Sequence, residues 1–386
     1  MRFLFSSTRG AGHLQPLLPY AQALLAHGHE VLVAAPAEVS ETLREAKLSH
    51  APFGHPGDDV LAPIWARFRQ APAAEITAIA LGEIFAGLNA QAALPKLTET
   101  ISAWRPDLVV RESAEFAAAV AADRAGVAHA RVAVHMVSFE EAFAALVAEP
   151  LDKLRHDVGL PPDQAAFLTT EAVFTAFPAS LDEPLDGRAP MPVPFRLRFI
   201  EEEPRDAPTP WAKAGDARPL VYITFGTIAG SSPSIRSIYR TALEAIASLP
   251  VRALLTTGRG MEAGVLGAIP ANVHVEEWVP QREVLPRAAA LVCHGGSGTV
   301  RGALAAGVPM VVAPLGADQP HNARRVAAVG AGIALPDPDA ASLRAAIERV
   351  LAEADFGRGA RQIADEIAAL PLVDTAVTAL VAMASA

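Results

Sequence analysis

Cysteine is almost missing from this chain: among 386 residues there is one, Cys293. That excludes an intrachain disulfide and suits a reducing cytoplasm. Cys293 ends the apolar run 289–293, so it reads as a buried structural thiol and not as a nucleophile. Positive charge is also scarce. The 32 Lys and Arg against 42 Asp and Glu leave a formal net charge of -10, which argues against a surface that grips nucleic-acid phosphates. Long uncharged apolar runs are lacking too. The longest, 302–317, is interrupted by Pro309 and Pro314 and falls short of a bilayer span. The apolar residues behind Met1 are too few for a signal-peptide core, and His or Cys at metal-ligand spacing is absent. These absences give the expectation of a soluble, cytoplasmic protein with no nucleic acid, no membrane and no metal.

What is present is apolar mass and alternation. The hydrophobic fraction is 51%, and the length predicts two α/β domains. Apolar runs at 2–6, 30–35, 108–111 and 130–134 read as strands. Helical segments at 14–27 and 116–125 lie among them, each closed by a glycine. A proline-rich stretch with the acidic run Glu201-Glu202-Glu203 separates the halves. The alternation restarts with strands at 220–224, 252–256, 273–276, 289–293 and 310–313, and helices at 235–248, 340–354 and 358–384, the last broken at Leu370-Pro371. Such alternation implies doubly wound parallel sheets.

The strand at 289–293 runs into Cys293-His294-Gly295-Gly296-Ser297-Gly298-Thr299, and an Ala-rich helical segment follows. Strand, glycine turn and helix start together form a ready site for a diphosphate. Backbone N–H groups at a helix start are unpaired and carry partial positive charge. The glycines let a ligand approach, and Ser297 and Thr299 add hydroxyls. Upstream, Gly10-Ala11-Gly12-His13 begins like a dinucleotide fingerprint, but Gln15 stands where the third glycine belongs and no acid ends the second strand, which disfavours a nicotinamide or flavin enzyme. The turn offers His13 instead, at a strand's carboxyl end, where a histidine can serve as a general base. Glu112, at the end of another strand, could orient it. Glu115 better fits a helix-start acid. Trp278-Val279-Pro280-Gln281 precedes the cradle with a ring suited to stacking. Asp318-Gln319 follows it with groups suited to sugar hydroxyls, although Asp318 also fits a helix cap. Asp337-Pro338-Asp339 reads as a cap and not a metal site. Asp355-Phe356-Gly357 lacks the rest of a kinase.

In order and spacing these elements resemble the nucleotide-sugar glycosyltransferases of family one, bacterial natural-product branch. The matching residues are Gly12-His13-x-x-Pro16, Arg105-Pro106-Asp107-Leu108-Val109-Val110, Trp278-x-Pro280-Gln281, His294-Gly295-Gly296-x-Gly298-Thr299, and Pro314 with Asp318, Gln319, Asn322 and Ala323. The resemblance implies a GT-B fold, with two Rossmann-like domains facing a central cleft. It implies an acceptor domain at 1–200, a linker at 201–218, a donor domain at 219–370 and a returning helix at 371–386. It implies an inverting, metal-independent transfer with His13 as base and Glu112 as its partner. The donor would be bound by Thr227, Trp278, Val279, Gln281, His294, Gly296, Ser297, Gly298, Thr299, Asp318, Gln319 and Asn322. The acceptor would be a hydrophobic aglycone, and a homodimer is compatible with this reading.

Two departures stand out. Many members carry Asp where this chain has Glu112. Many also carry Glu eight positions beyond the cradle histidine, where it holds ribose hydroxyls, and here that position is Gly302. The second departure points to a dTDP-sugar, with a deoxysugar favoured over a UDP-sugar. Two rival readings are a nucleotide-sugar 2-epimerase, which needs more carboxylates around the sugar than Asp318 and Glu112, and a catalytically silent scaffold that activates a partner enzyme.

Overall fold

A computed structural model describes residues 1–71, 73–183, 193–199, 211, 216–226, 236–258, 260–261 and 264–385. The chain divides into two compact units. Unit 1 holds Met1–Phe177, Asp182–Phe199 and Leu370–Ala386, and unit 2 holds Pro178–Leu181 and Ile200–Ala369.

Unit 1 is built on seven strands: β1 (Arg2–Ser6), β2 (Glu30–Pro36), β3 (Ser49–Phe53), β4 (Leu108–Glu112), β5 (His129–Val132), β6 (Ala172–Thr175) and β7 (Phe195–Arg196). Their order is β3-β2-β1-β4-β5-β6-β7, and every pairing is parallel. Strand β4, which ends at Glu112, therefore lies between β1, which leads towards His13, and β5. Unit 2 has six: β8 (Leu220–Thr224), β9 (Arg252–Thr256), β10 (Val273–Glu276), β11 (Ala290–Cys293), β12 (Met310–Val312) and β13 (Gly332–Ala334). Their order is β10-β9-β8-β11-β12-β13, again parallel throughout. β8 and β11 are buried along their whole length, which is why they read as unbroken apolar runs and not as alternating ones.

The expected strands are present. Four more, β3, β6, β7 and β13, were not anticipated. They are short or edge-lying, and β3 contains Pro52. The expected helix at 14–27 is subdivided into Ala11–Leu14, a tighter turn at Gln15–Leu17 and Leu18–Ala26, with prolines at the two later starts. The expected last helix is two, Ala354–Ala369 and Thr375–Ala384.

The Thr375–Ala384 helix belongs to the core of unit 1. Ala376, Val377 and Leu380 share a buried cluster with Phe3 and Phe5 of β1. The chain's return is pinned at Arg198, whose N–H donates to Pro371 O at 2.8 Å while Val373 N–H donates to Arg198 O at 3.0 Å. Pro178–Leu181, expected with the first domain, groups with unit 2. There the Arg325 guanidinium donates to the Leu181 and Ser180 carbonyls at 2.8 and 2.6 Å. The expected linker at 201–218 falls mostly outside the described residues.

One helical run, Glu75–Trp104, is long and apolar enough by length and composition to cross a membrane. This corrects the expectation that no segment reaches that length; Glu83, Lys96 and Glu99 hid the run. Its Leu94, Leu97 and Ile101 pack with the Ala117–Ala125 helix and with Phe143, Val147 and Leu151 in a core of unit 1. One face of the run is therefore packed into the fold. Its middle, Ile79–Asn89, winds as a wide π-helix.

Candidate active site

In unit 1, β1 delivers the chain into Gly10, whose φ of 121° only glycine adopts easily. The short helix Ala11–Leu14 follows and presents His13. Its Nδ1 lies 3.0 Å from Glu112 Oε2 at the end of β4. The two are brought together because β1 and β4 pair in parallel, Ser6 beside Arg111. The imidazole is 20% exposed and the carboxylate 0%.

Burial alone would raise the Glu112 pKa. The charge and hydrogen bond of His13, the Ala114 N–H and the Thr8 hydroxyl outweigh burial and hold it down at about 2. The Thr8 hydroxyl donates to Oε1 at 2.8 Å and Ala114 N–H to Oε2 at 2.7 Å. Glu112 is therefore a fixed anion. It accepts the Nδ1 proton of His13, which leaves Nε2 as the basic nitrogen. The longer Glu side chain reaches the histidine. Glu115 does what a helix-start acid does, accepting from Ala117 and Ala118 N–H at 3.1 Å each. Burial raises its pKa to about 7.

In unit 2, β11 ends at Cys293, a buried thiol pushed up to about 12 by burial. The helix that follows is Ser297–Ala305, with Gly296 at its start. Its first intrahelical bond runs from Val300 N–H to Gly296 O, so the N–H groups of Ser297, Gly298 and Thr299 have no acceptor within the helix.

The glycines of this turn serve different ends, and this corrects the reading that all of them admit a ligand. Gly295 has φ 89°, and a Cβ there would lie 2.6 Å from Val312 Cγ1. A Cβ on Gly296 would lie 2.5 Å from His294 Nε2. Only Gly298 faces open space. Gly226, after β8, also clears the His294 ring, since a Cβ there would lie 2.9 Å from Nε2. His294 is thus clamped between two glycines. Burial, against weaker opposition from Asp318 and the Thr224 backbone, lowers its pKa to about 4, so it is neutral at physiological pH.

Asp318 heads the helix Gln319–Ala328 without capping it by its side chain, so the cap reading does not hold. Its Oδ2 accepts instead from Ser297 Oγ at 2.6 Å and from Asn322 Nδ2 at 2.7 Å. Asn322 is fully buried and also donates to Gly295 O at 2.8 Å. It holds the turn from behind. Gln319 Oε1 accepts from Leu315 and Gly316 N–H at 2.7 and 3.1 Å, which fastens its own loop. Gln281 Nε2 donates to Thr299 Oγ1 at 3.2 Å, so the segment before the cradle joins it. Trp278 is 55% exposed, which rules out a core role and leaves its ring open to stacking. Val279 beside it is half-buried. Thr227 lies outside the described residues. Asp339 forms a capping box with Ser342, as its sequence predicts. Among the described residues no group of three or more His, Cys, Asp or Glu side chains is placed to hold a metal ion.

Sequence reasoning missed three groups near His13. Thr8 lay in a polar run after β1 whose only signal was its place at a strand's carboxyl end. Phe85, whose ring centre is 5.3 Å from that of His13, sits on the unanticipated π-helix. His135 follows β5. Its ring centre is 6.3 Å from that of His13, and its Nδ1 lies 3.3 Å from Glu140 Oε1.

Comparison with known proteins places the chain in a family. Residues 22–180 match the N-terminal domain, and residues 240–383 the C-terminal domain, of the family described as erythromycin biosynthesis protein CIII-like. L-demethylnoviosyl transferase of Streptomyces niveus is 33% identical over 377 residues, spanning 96% of this chain and 95% of that protein. Elloramycin glycosyltransferase ElmGT of Streptomyces olivaceus is 32% identical over 392 residues, spanning 96% and 94%. The crystal structure of the glycosyltransferase SnogD from Streptomyces nogalater matches at a TM-score of 0.77 and 27% identity, covering 100% of this chain and 99% of that one. The chain belongs to the bacterial natural-product glycosyltransferases of family one and carries their two-domain GT-B fold.

Proposed function

We propose that the enzyme moves a sugar from a dTDP-sugar to a hydroxyl of a hydrophobic natural-product aglycone, with inversion and without a metal. The observation that carries this reading is the 3.0 Å pair of His13 and a fully buried, ionised Glu112. His13 Nε2 takes the acceptor's proton, and the oxygen attacks the anomeric carbon from the face opposite the nucleotide. The bond to the diphosphate breaks and its electron pair leaves with the nucleotide. Glu112 stabilises the imidazolium formed on His13. The free N–H groups of Ser297, Gly298 and Thr299 and the Ser297 and Thr299 hydroxyls receive the charge that builds on the leaving diphosphate. Neutral His294 adds a nitrogen that an incoming dianion favours in its protonated form. Trp278 stacks on the base, and the Asp318 oxygen not bonded to Ser297 and Asn322 meets a sugar hydroxyl.

A deoxysugar donor agrees with the names of relatives such as aclacinomycin-T 2-deoxy-L-fucose transferase of Streptomyces galilaeus, 28% identical to this chain. For the nucleotide, Gly302 supports dTDP, because nothing charged stands there for a ribose 2′-hydroxyl. A Cβ at Gly302 would make only ordinary contacts, 3.4 Å to Leu285 Cδ1 and 3.8 Å to Gln281 Oε1, so a side chain fits.

The test is a thermal-shift titration. dTDP is expected to raise Tm more than UDP at equal concentration, because binding to the folded state adds stability by mass action. Gly302→Glu is expected to narrow or reverse the difference. Clearly stronger stabilisation of the wild type by UDP would overturn the dTDP assignment. Transfer is expected to survive EDTA.

A further inference from the structure

Strand β4 carries a charge on its core side. Arg111 shares a face with Val109, which packs with the Ala117–Ala125 helix, and Arg111 is 0% exposed. Its guanidinium stands against the rings of Phe116 and Phe167, 5.6 and 5.1 Å from their centres. Nε and Nη2 donate to the two Glu171 oxygens at 3.3 and 2.5 Å. Burial would raise the Glu171 pKa, but the charge of Arg111, with His129 and Arg131 beside it, holds it down at about 2. A buried ion pair of this kind is weakly explained by stability, because packed apolar residues hold a core as well. The third nitrogen gives the charge a purpose. Nη1 donates to the carbonyls of Glu112 and Ser113 at 3.1 Å each and to that of Glu115 at 3.3 Å. Those carbonyls belong to the turn that leaves β4. Residues 112–116 are all at most 2% exposed, so bulk water does not serve them. The same turn carries the Ala114 N–H, which fixes Glu112 Oε2 at 2.7 Å, the oxygen that meets His13.

We propose that Arg111 is a positioning residue of the His13–Glu112 pair. It gathers three carbonyls of the turn and so sets where the Ala114 N–H and the Glu112 carboxylate point. Glu171 neutralises the arginine and holds its fork in place. A guanidinium suits this task because its donors lie in one rigid plane, which serves a carboxylate and a cluster of carbonyls at once. The proposal rests on the base reading above and deepens it by naming what holds the partner carboxylate from behind. Without Arg111 the turn relaxes and Glu112 no longer meets Nδ1. The ring then loses the tautomer that leaves Nε2 basic.

The test reads the tautomer of His13 with no substrate present. It uses the imidazole nitrogen-15 shifts of histidine-labelled full-length protein at about pH 8.5, above the ordinary histidine range. Signals that vanish in His13→Gln belong to His13. The wild type is expected to hold the Nδ1–H form. Arg111→Met/Glu171→Gln removes the fork and leaves no unpaired acid in its place, and it is expected to shift the ring to the Nε2–H form. Glu171→Gln alone is expected to lower Tm, because it leaves a buried arginine without its counter-charge. It keeps the arginine's hold on the carbonyls and is expected to keep the Nδ1–H form. A role in stability alone would lower Tm in these variants and leave the tautomer where it is. If the double variant does not fold, Arg111→Lys, which keeps the charge and loses the fork, is expected to show the same shift. The proposal is overturned if the Nδ1–H form persists in the double variant, or in Arg111→Lys where that variant takes its place, or if Glu171→Gln loses it. An Nε2–H ring in the wild type overturns the pairing of His13 with Glu112 as well, so the two failures are told apart.

Discussion

His13→Ala is expected to lower sugar transfer by about 10²–10⁴-fold, the usual contribution of a positioned general base, with nucleotide binding unchanged. The alanine removes Nε2 and leaves the acceptor hydroxyl to lose its proton to water. Nothing else described in unit 1 stands in the same place; His135 is nearby but is held by a different carboxylate, Glu140. Glu112→Gln is expected to fall in the same range. A glutamine keeps the shape but withdraws the charge that stabilises an imidazolium, and its amide can turn the ring to the wrong tautomer. Acid stability gives an independent reading. The folded Glu112 carboxyl titrates near 2, below the unfolded value of about 4.3. The stability it contributes is therefore present above about pH 4 and is lost as the pH falls towards 2. Urea denaturation across that window should show a steeper loss for the wild type than for Glu112→Gln. If His13→Ala transfers at the wild-type rate to the same acceptor, the base is elsewhere.

The second large effect is expected in the cradle, where two glycines two residues apart should behave differently. Gly296→Ala places a Cβ 2.5 Å from His294 Nε2, so the ring must move out of its clamp. Its φ of -61° is open to any residue, and the whole effect is steric. dTDP affinity is expected to drop at least tenfold, about 1.4 kcal/mol, with a lower Tm. Gly298→Ala meets nothing within 4 Å in the protein. Its Tm should hold, while a methyl in the path of the diphosphate weakens dTDP binding. Calorimetric titration beside thermal melts separates the two. Equal affinities for dTDP in Gly298→Ala and the wild type would mean that the ligand does not approach that backbone.

The strands of both sheets were legible because buried parallel strands are apolar along their length, as in Leu220–Thr224 and Ala290–Cys293. The placement of the candidate residues His13 and Glu112 at strand carboxyl ends was legible too, and such ends are where open α/β sheets hold ligands. Other features carry no local signal. A π-helix has the composition of an α-helix, so Ile79–Asn89 and its Phe85 could not be read. The roles of Gly295 and Gly296 depend on Val312 and on the His294 ring, contacts fixed only once β11 and β12 pair. Asp318 looked like a cap because it heads a helix. Its carboxylate bonds Ser297, 21 residues earlier in the chain, and no window of sequence contains both.

The return of the chain at Leu370–Ala386 gives the fold a topological consequence. In sequence terms the stretch 200–369 is an insertion into unit 1, because the chain leaves that unit and re-enters it. Exchange of unit 2 between relatives is therefore a two-crossover problem, with junctions near 199 and 370. A single-crossover chimera would carry a foreign last helix, and its counterparts of Ala376, Val377 and Leu380 would have to fit the core around Phe3 and Phe5. A graft of unit 2 made that way would disturb packing beneath the strand that leads to His13.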